Sequence, residues 1–371
     1  MPSLAAQLKS GAREPLARRI AISAAAIRDD SVPERVIRKV KTCLMDVIGC
    51  AFESRHLEWS RQAVALASVA GAEGCTIIGA SRVTSAGDAV FANAVMGHGL
   101  VREDMHSGSI SHLGIVVLPV LLAAAQLRPV SGRRLIAASM VGYETGGRVG
   151  RALMDAEVAK IHRPTGNVGP VAAAAAGACL LGFDMDQATA AVALGANTTL
   201  GFNQWAHTGG SEMFFQAGFA ARNALAAVML AEQGAYASES ALDGEAGLFA
   251  AMGKRAAAND VRLFDGEPEI LAVYHKPVPA CNFAQTPSQA ALRIARERKI
   301  PPRSIASIRI RVPRAGALYP GCDSRGPFAH VLQAKMSIQF NVAAALIEGE
   351  VTERNFSRLG DPELVSLIGR T

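Results

Sequence analysis

The chain has 371 residues, of which half are hydrophobic but only 5% aromatic and 19% charged, and it contains 35 glycines. Disorder requires low hydrophobicity and high net charge, so this composition excludes a natively disordered protein and indicates close-packed helices rich in Ala and Gly. The formal net charge is +6, and the basic residues form no long run with interleaved aromatic residues. Nucleic-acid binding is therefore not predicted, whereas a positive balance suits small anionic substrates.

The chain offers weak candidates for a membrane span or a secretion signal. Gly114–Leu127 is short and contains Pro119, and Val168–Phe183 is mostly Ala and Gly. Spanning a bilayer takes about 20 strongly apolar residues, so we predict no membrane insertion. Met1–Arg19 lacks the apolar run of a secretory signal, and the six cysteines are scattered without a C-x-x-C motif. We therefore expect a cytoplasmic protein with reduced thiols.

Most of the chain carries the apolar periodicity of helices. In the first clear case, Ser31 and Pro33 precede apolar residues spaced on one helical face, which predicts a capped helix. Clusters of Gly, Asn, Asp and Ser separate the later segments. The predicted helices are Ser31–Glu53, Trp59–Val69, Ser85–Gly97, Val117–Leu127, Gly132–Met154, Pro170–Leu181, Asp184–Leu194 and Phe215–Gln233.

The pattern changes after residue 262. Apolar residues alternate with arginines in Ile305–Val312, which predicts a half-buried strand. Helices are predicted on either side, at Thr286–Lys299 and Gln333–Glu348. At about 150 residues per domain the length allows two or three domains. The simplest division is an all-helical domain over residues 1–262 and a smaller α+β domain over residues 263–371.

Three of the eight histidines lie in one polar stretch rich in Gly and Ser, at His98, His106 and His112. Such a loop between apolar helices is where a scaffold usually presents reactive groups. Histidine titrates near neutral pH, so acid–base catalysis is one interpretation and helix capping or loop hydrogen bonding is the other. The spacing matches no familiar zinc pattern, and we predict no metal site.

Two further polar segments follow. Lys160–Asn167 contains His162, Arg163 and Thr165 and precedes the helix predicted from Pro170. The free N–H groups of a helix N-terminus favour a nearby carboxylate, although an ordinary Pro/Gly loop is the alternative.

The other segment is Tyr274–Phe283, in which Pro277 and Pro279 stiffen an extended chain. Lys276 on such a chain can clamp an anion or stabilise an enolate, or it can be a solvated surface lysine. We expect Cys281 to be packed and not nucleophilic, because no flanking motif indicates activation.

Short motifs join these segments in a fixed order. They are Asp46-Val-Ile-Gly49, Asn93–Leu100 followed by Asp104-Met-His106 and His112-Leu-Gly114, His162-Arg-Pro-Thr-Gly166, Phe219–Asn223, Lys276–Cys281, and Gln333–Ser337 with Ala343–Leu346. In this order they resemble the MmgE/PrpD family, which includes 2-methylcitrate dehydratase, cis-aconitate decarboxylase and iminodisuccinate epimerase. The third motif is similar to the family's H-x-T-G, and the resemblance covers most of the chain.

This resemblance implies a large helical domain with a smaller α+β lid, here with a shortened C-terminal part, and a homodimer without metal or organic cofactor. The implied chemistry is proton abstraction next to a carboxylate of a small di- or tricarboxylate, followed by loss of water or CO₂ or by reprotonation on the other face. The implied catalytic residues are His112, His162, Lys276, Asp104 and His106, and Arg163, Thr165 and Arg102 are expected to bind the substrate.

The chain departs from the family motif at two places in the histidine loop. Val101-Arg102-Glu103 stands where the motif begins with Asp-Phe-Asp, and Met105 stands where a threonine is usual. These departures support a second hypothesis, in which the chain is a catalytically inactive dimeric binding or structural relative.

Overall fold

The computed structural model describes residues 14–68, 74–81 and 83–371. The predicted mainly α fold is confirmed. The helices of the described chain up to residue 272 are α1 (Leu16–Ala25), α2 (Glu34–Ser54), α3 (Glu58–Leu66), α4 (Ala86–His98), α5 (Gly114–Leu127), α6 (Gly132–Leu153), α7 (Val158–Ile161), α8 (Pro164–Leu181), α9 (Met185–Ala196), α10 (Trp205–Thr208), α11 (Glu212–Glu232) and α12 (Leu248–Ala251), with short 3-10 turns between some of them.

Local capping fixes several of these boundaries. The Ser85 side chain accepts a hydrogen bond from the backbone N–H of Asp88 at 3.2 Å, and Asp184 forms a capping box with Gln187. The prediction that Ser31 caps α2 is wrong, because Pro33 occupies the cap position and Ser31 bonds back to Arg28. Val69, the predicted end of α3, lies outside the described residues.

Helix α8 is the centre of the larger core. It is buried along nearly its whole length and contacts α5, α6, α9 and α11. Its run Ala172–Ala176 lets these neighbours approach closely. The helix begins at Pro164, six residues before the predicted start at Pro170, so Thr165 and Asn167 belong to its first turns.

The C-terminal part adds α13 (Gln285–Arg298), α14 (Arg314–Leu318), α15 (Val331–Met336), α16 (Ile338–Glu348) and α17 (Pro362–Gly369). The helix predicted over Gln333–Glu348 is interrupted at Ser337, whose side chain caps α16 by accepting from the N–H of Phe340. A second apolar cluster joins these helices to α4 and α11 through residues such as Phe340 and Phe214.

The strand predicted over Ile305–Val312 is not formed in the described chain. The side chains alternate as expected, with Ile308 and Ile310 half-buried and Arg309 and Arg311 exposed. However, the backbone pairs with no strand, and the N–H of Ile308 donates to the carbonyl of Arg370 at the end of α17. Alternation predicts a half-buried extended segment, but a strand also needs a neighbouring strand.

Two short antiparallel pairs complete the described elements. Strand β1 (Cys75–Thr76) pairs with β2 (Val83–Thr84), and β3 (Met105–His106) pairs with β4 (Val273–Tyr274). The second pair fixes the histidine loop against the segment that carries Lys276. It thereby brings two of the three predicted polar segments together.

Within the described residues, α11 is long and apolar enough to cross a membrane by length and composition alone. It is largely buried against α4, α8 and α9, as expected for a core helix.

Candidate active site

The loop between α4 and α5 sends its three histidines to different places. His98 is the last residue of α4, His106 lies in β3, and His112 comes just before α5. Two residues of this loop, Val101 and Ile110, have left-handed backbone conformations with φ of 58° and 52°. Such conformations are unfavourable for β-branched residues and are typical of functional sites, where surrounding contacts hold them.

Glu103 connects two of the histidines. Its Oε1 lies 2.6 Å from Nδ1 of His98 and 2.9 Å from Nδ1 of His112, and Oε2 has no hydrogen-bond partner in the described chain. Burial alone would raise the pKa of Glu103, but His98, Lys276 and His112 outweigh it and hold that pKa well below its usual range. Glu103 is therefore a buried carboxylate that orients both imidazoles.

The buried setting disfavours the charged forms of His98 and His112. Burial lowers the pKa of His98, and burial together with Lys276 lowers the pKa of His112 to about 3. Nδ1 of His112 also lies 2.9 Å from the carbonyl oxygen of Asp104, and it can donate to that oxygen or to Glu103. Nε2 of His112 has no hydrogen-bond partner in the described chain, and its lone pair is free to accept a proton.

Lys276 is buried behind the loop. Its ammonium group donates to the carbonyl of Val101, and burial lowers its pKa. Arg102, in contrast, is exposed, and its Nε donates to the carbonyl oxygen of Lys276 at 3.3 Å. The left-handed turn at Val101 thus aims a carbonyl at the lysine.

Arg163 precedes α8 and is 5% exposed. Its guanidinium donates to Nε2 of His98 at 3.1 Å, lies 3.5 Å from the hydroxyl of Tyr319, and packs over the ring of Trp205 at 5.4 Å. None of the described carboxylates lies within ion-pair distance of it. A buried cation without an anionic partner is costly, so this position favours a bound carboxylate.

A small cavity lies beside Arg163, and we call it the Arg163 cavity. Its volume of about 20 Å³ is room for one water molecule. His112, Arg163 and Tyr319 face it, together with the Cys281 thiol and a mainly apolar wall. Burial raises the pKa of Tyr319, so its hydroxyl keeps its proton and can donate.

Two cysteine sulfurs lie 3.5 Å apart at the edge of the Arg163 cavity. A hydrogen bond from the thiol of Cys322 lowers the pKa of Cys281, and burial opposes this shift. Cys281 is packed, as expected from the sequence, but it also lines the cavity.

Several residues predicted for the site lie elsewhere. His106 is buried 2.7 Å from Glu269 and bonds to Ser109. The Asp104 carboxylate faces away from the cavity, where it accepts from the hydroxyl of Tyr143 and from the N–H of Gly114. A side chain at Gly114 would collide with that carboxylate, at 2.5 Å.

Thr165 supports the site indirectly, because its Oγ1 accepts from the N–H of His112 at 3.1 Å.

His162 is half-buried beside Phe202, with ring centroids 6.0 Å apart, and does not line the cavity. The family motif places one residue between histidine and threonine, whereas here two separate His162 from Thr165. Counting back from Thr165, Arg163 occupies the equivalent position, and Arg163 is the residue that enters the cavity. This spacing could have shown from sequence that Arg163 is the central residue.

Other contributors were not predicted. Glu103 and His98 stand in the histidine loop, but their mutual contact depends on its left-handed turns. Tyr319, Trp205 and Met213 come from segments without a recognisable motif. No group of three or more potential metal ligands converges anywhere in residues 14–68, 74–81 and 83–371.

Comparison with known proteins supports a common origin for both parts of the chain. Residues 18–260 match the MmgE/PrpD N-terminal domain and residues 278–371 match the MmgE/PrpD C-terminal domain. The chain is similar to cis-aconitate decarboxylase-like protein oryM of Aspergillus oryzae, with 33% identity over 61% of this chain and 48% of that protein. It is also similar to cis-aconitate decarboxylase of Aspergillus terreus, with 29% identity over 66% of this chain and 51% of that protein. The chain spans about half the length of these relatives. The two family matches together cover most of its residues, and the chain belongs to the MmgE/PrpD family.

Proposed function

We propose that this chain is a lyase or isomerase that acts on a small carboxylic acid by proton transfer next to a carboxylate. The observation that carries the proposal is Arg163, a buried cation without a carboxylate partner in the described chain, facing the same cavity as the unpartnered Nε2 of His112. The relatives named as cis-aconitate decarboxylases support a decarboxylase or dehydratase type of reaction.

The site residues divide the work. Arg163 binds the substrate carboxylate, which places the adjacent carbon near His112. Nε2 of His112 exchanges a proton with that carbon, while Glu103 keeps the imidazole in the tautomer whose lone pair faces the cavity. A carboxylate bound at Arg163 offsets the positive charges that lower the pKa of His112, so binding makes it a stronger base.

Tyr319 and Lys276 complete the proposal. The hydroxyl of Tyr319 lies beside Arg163 and can donate a proton to the carbanion from a direction different from that of His112. Lys276 holds the Val101 turn and contributes positive charge that stabilises an enolate. A reaction that loses CO₂, loses water or inverts a carbon would use these groups in the same places.

Proton NMR in deuterated water tests the proposal, with a panel of small carboxylic acids that includes cis-aconitate. Loss of CO₂, loss of water and exchange at the α-carbon each give a distinct change in the spectrum. We expect one of these for the wild type and none for Arg163→Met. A panel that stays unchanged with folded wild-type protein would contradict an enzyme.

The second candidate is an inactive binding relative, and the small volume of the cavity favours it over an enzyme that must hold a whole substrate. Calorimetric titration of the same acids separates the two, since a binding relative gives heat of binding without turnover.

The homodimer, the cytoplasmic location and the independence of cofactors stay predictions. Light scattering tests the predicted homodimer, and metal analysis of active protein bears on the predicted independence of cofactors.

A further inference from the structure

Cys281 and Cys322 are the one pair among the six described cysteines whose sulfurs lie within hydrogen-bond distance of each other, at 3.5 Å. Their backbones are held by the same junction between α15 and α16. The N–H of Cys281 donates to the carbonyl oxygen of Lys335 at 2.9 Å. The carbonyl oxygen of Cys322 accepts from the N–H of Ile338, also at 2.9 Å. A disulfide bond places its sulfurs about 2.05 Å apart, so each sulfur needs to move by less than about 1 Å.

The two thiols differ in acidity. The hydrogen bond from Cys322 lowers the pKa of Cys281, whereas burial opposes that shift. The positive charges of Lys276 and Arg163 lower this pKa further. Burial instead raises the pKa of Cys179, a thiol of α8, to about 11. The thiolate is the form of cysteine that attacks a peroxide, so Cys281 is the more reactive thiol of the pair.

Access to the pair leads through the Arg163 cavity. Cys281 lines this cavity and is 5% exposed, whereas Cys322 is fully buried and does not line it. The cavity volume of about 20 Å³ admits a molecule of about the size of water. Hydrogen peroxide is only slightly larger than water, but glutathione is far too large. Hydrogen peroxide therefore meets Cys281 first, and the thiol next to it is that of Cys322.

We infer that Cys281 and Cys322 form a redox-active dithiol, which hydrogen peroxide converts into a disulfide in the wall of the Arg163 cavity. The thiolate of Cys281 attacks one peroxide oxygen, and the O–O bond breaks to give a sulfenic acid and hydroxide, which takes up the thiol proton to form water. The sulfur of Cys322 then attacks the sulfur of the sulfenic acid, which forms the S–S bond and releases a second water. The two thiols lose two electrons in total, and the peroxide is reduced to two waters. The inference does not depend on the proposed function, because it concerns the sulfur chemistry alone.

Thiol counting on the folded wild type tests this inference. A few equivalents of hydrogen peroxide should remove two of the six thiols, and dithiothreitol should restore both. Peptide mass spectrometry should find the peptides of Cys281 and Cys322 joined, with the loss of two hydrogens. Oxidised glutathione should leave no adduct on either residue. Six remaining thiols, a disulfide between other cysteines or a glutathione adduct on Cys281 would overturn the inference.

Three variants assign the roles within the pair. In Cys322→Ser the sulfenic acid of Cys281 has no partner thiol, so dimedone should label Cys281 after peroxide treatment. Cys281→Ser should show neither a disulfide nor a dimedone adduct at Cys322. Cys179→Ser is the matched control, since it removes a buried thiol of α8, and two thiols should still be lost. Dimedone labelling of Cys322 in Cys281→Ser would contradict the assignment of Cys281 as the attacking thiol. Circular dichroism verifies that each variant is folded.

Discussion

Two clusters of charged side chains meet at the histidine loop, and in only one of them does every arginine have a carboxylate partner. In the Glu269 cluster, formed by Glu144, Arg148, Arg151, His106 and Glu269, each arginine has a carboxylate partner. The N–H of Glu269 also donates to Glu144 at 2.8 Å. In the Arg163 cavity the guanidinium has neutral partners. The first arrangement stabilises the fold by itself, whereas the second requires a ligand.

The sequence does not distinguish the two clusters, because each contains a histidine from the same polar loop. His106 and His112 stand in the same polar loop, six residues apart. One is held by Glu269 in a fully partnered network and the other has a free nitrogen in a cavity. Burial of a polar side chain therefore does not identify a reactive group; the argument for His112 rests on its free nitrogen together with the cavity that it faces.

The largest effect is expected from Arg163→Met. It removes the carboxylate-binding cation, so kcat/KM should fall at least ~1,000-fold, about 4 kcal/mol of transition-state stabilisation. Because the variant also removes a buried charge without a partner, the free energy of unfolding should stay the same or increase. Steady-state kinetics and urea unfolding measure the two effects. A strong loss of stability would mean that Arg163 is a structural residue.

Replacing an arginine of the Glu269 cluster with methionine should have the opposite effect: stability should fall while activity is retained. Arg148 lies 2.9 Å from Glu144 and 3.0 Å from Glu269, and both carboxylates are buried. Arg148→Met leaves these carboxylates with fewer partners and should lower the free energy of unfolding by about 3 kcal/mol. The activity of the folded fraction should stay within a factor of two or so. Loss of activity at unchanged stability would erase the contrast between the clusters.

Asp104 lies between the two clusters and should give a pH-dependent stability. Burial and the neighbouring Asp46 raise its pKa to about 6, against the hydrogen bond from Tyr143, whereas the ordinary value is 3.8. Between these values the folded protein retains a proton that the unfolded chain has lost. The contribution of Asp104 to the free energy of unfolding therefore decreases as pH rises through this window.

Asp104→Asn removes the titrating carboxyl group, so the variant is the reference against which the pH dependence of the wild type is measured. The stability of the wild type minus that of the variant should fall by about 3 kcal/mol between about pH 4 and pH 7. Urea unfolding of both proteins at several pH values measures this difference. Glu103 has the opposite dependence, since its pKa is lowered, but it is present in both proteins and cancels. A difference that is flat with pH would place Asp104 in a more polar setting.

Local signals predicted the fold well where local contacts decide it. The helices predicted to begin at Ser85 and Asp184 are capped by those residues, since a cap involves residues only three positions apart, whereas the cap predicted at Ser31 is wrong. The strand predicted at Ile305–Val312 failed because pairing depends on a second strand, which alternation cannot reveal. The break at Ser337 is also local, but the continuous apolar pattern around it concealed the cap.

The candidate site was predicted only in part, for a geometric reason. The family motifs indicated His112 and Lys276, and Arg163 was predicted to bind substrate; these residues lie around the cavity or just behind it. Glu103 reaches both His98 and His112 because the chain turns at Val101 and Ile110, and β-branched residues give no signal of a left-handed turn. Tyr319 arrives from the C-terminal part, far along the chain.

The smallest effect on activity is expected for His162→Ala, although His162 is adjacent in sequence to Arg163, where the largest effect is expected. Its ring lies beside exposed Phe202 and outside the Arg163 cavity. His162→Ala should therefore change kcat/KM less than about threefold and the free energy of unfolding by less than about 1 kcal/mol. Measuring it beside Arg163→Met compares two neighbours that differ in whether they face the cavity. If His162→Ala loses activity as Arg163→Met does, then His162 reaches the substrate and belongs to the site.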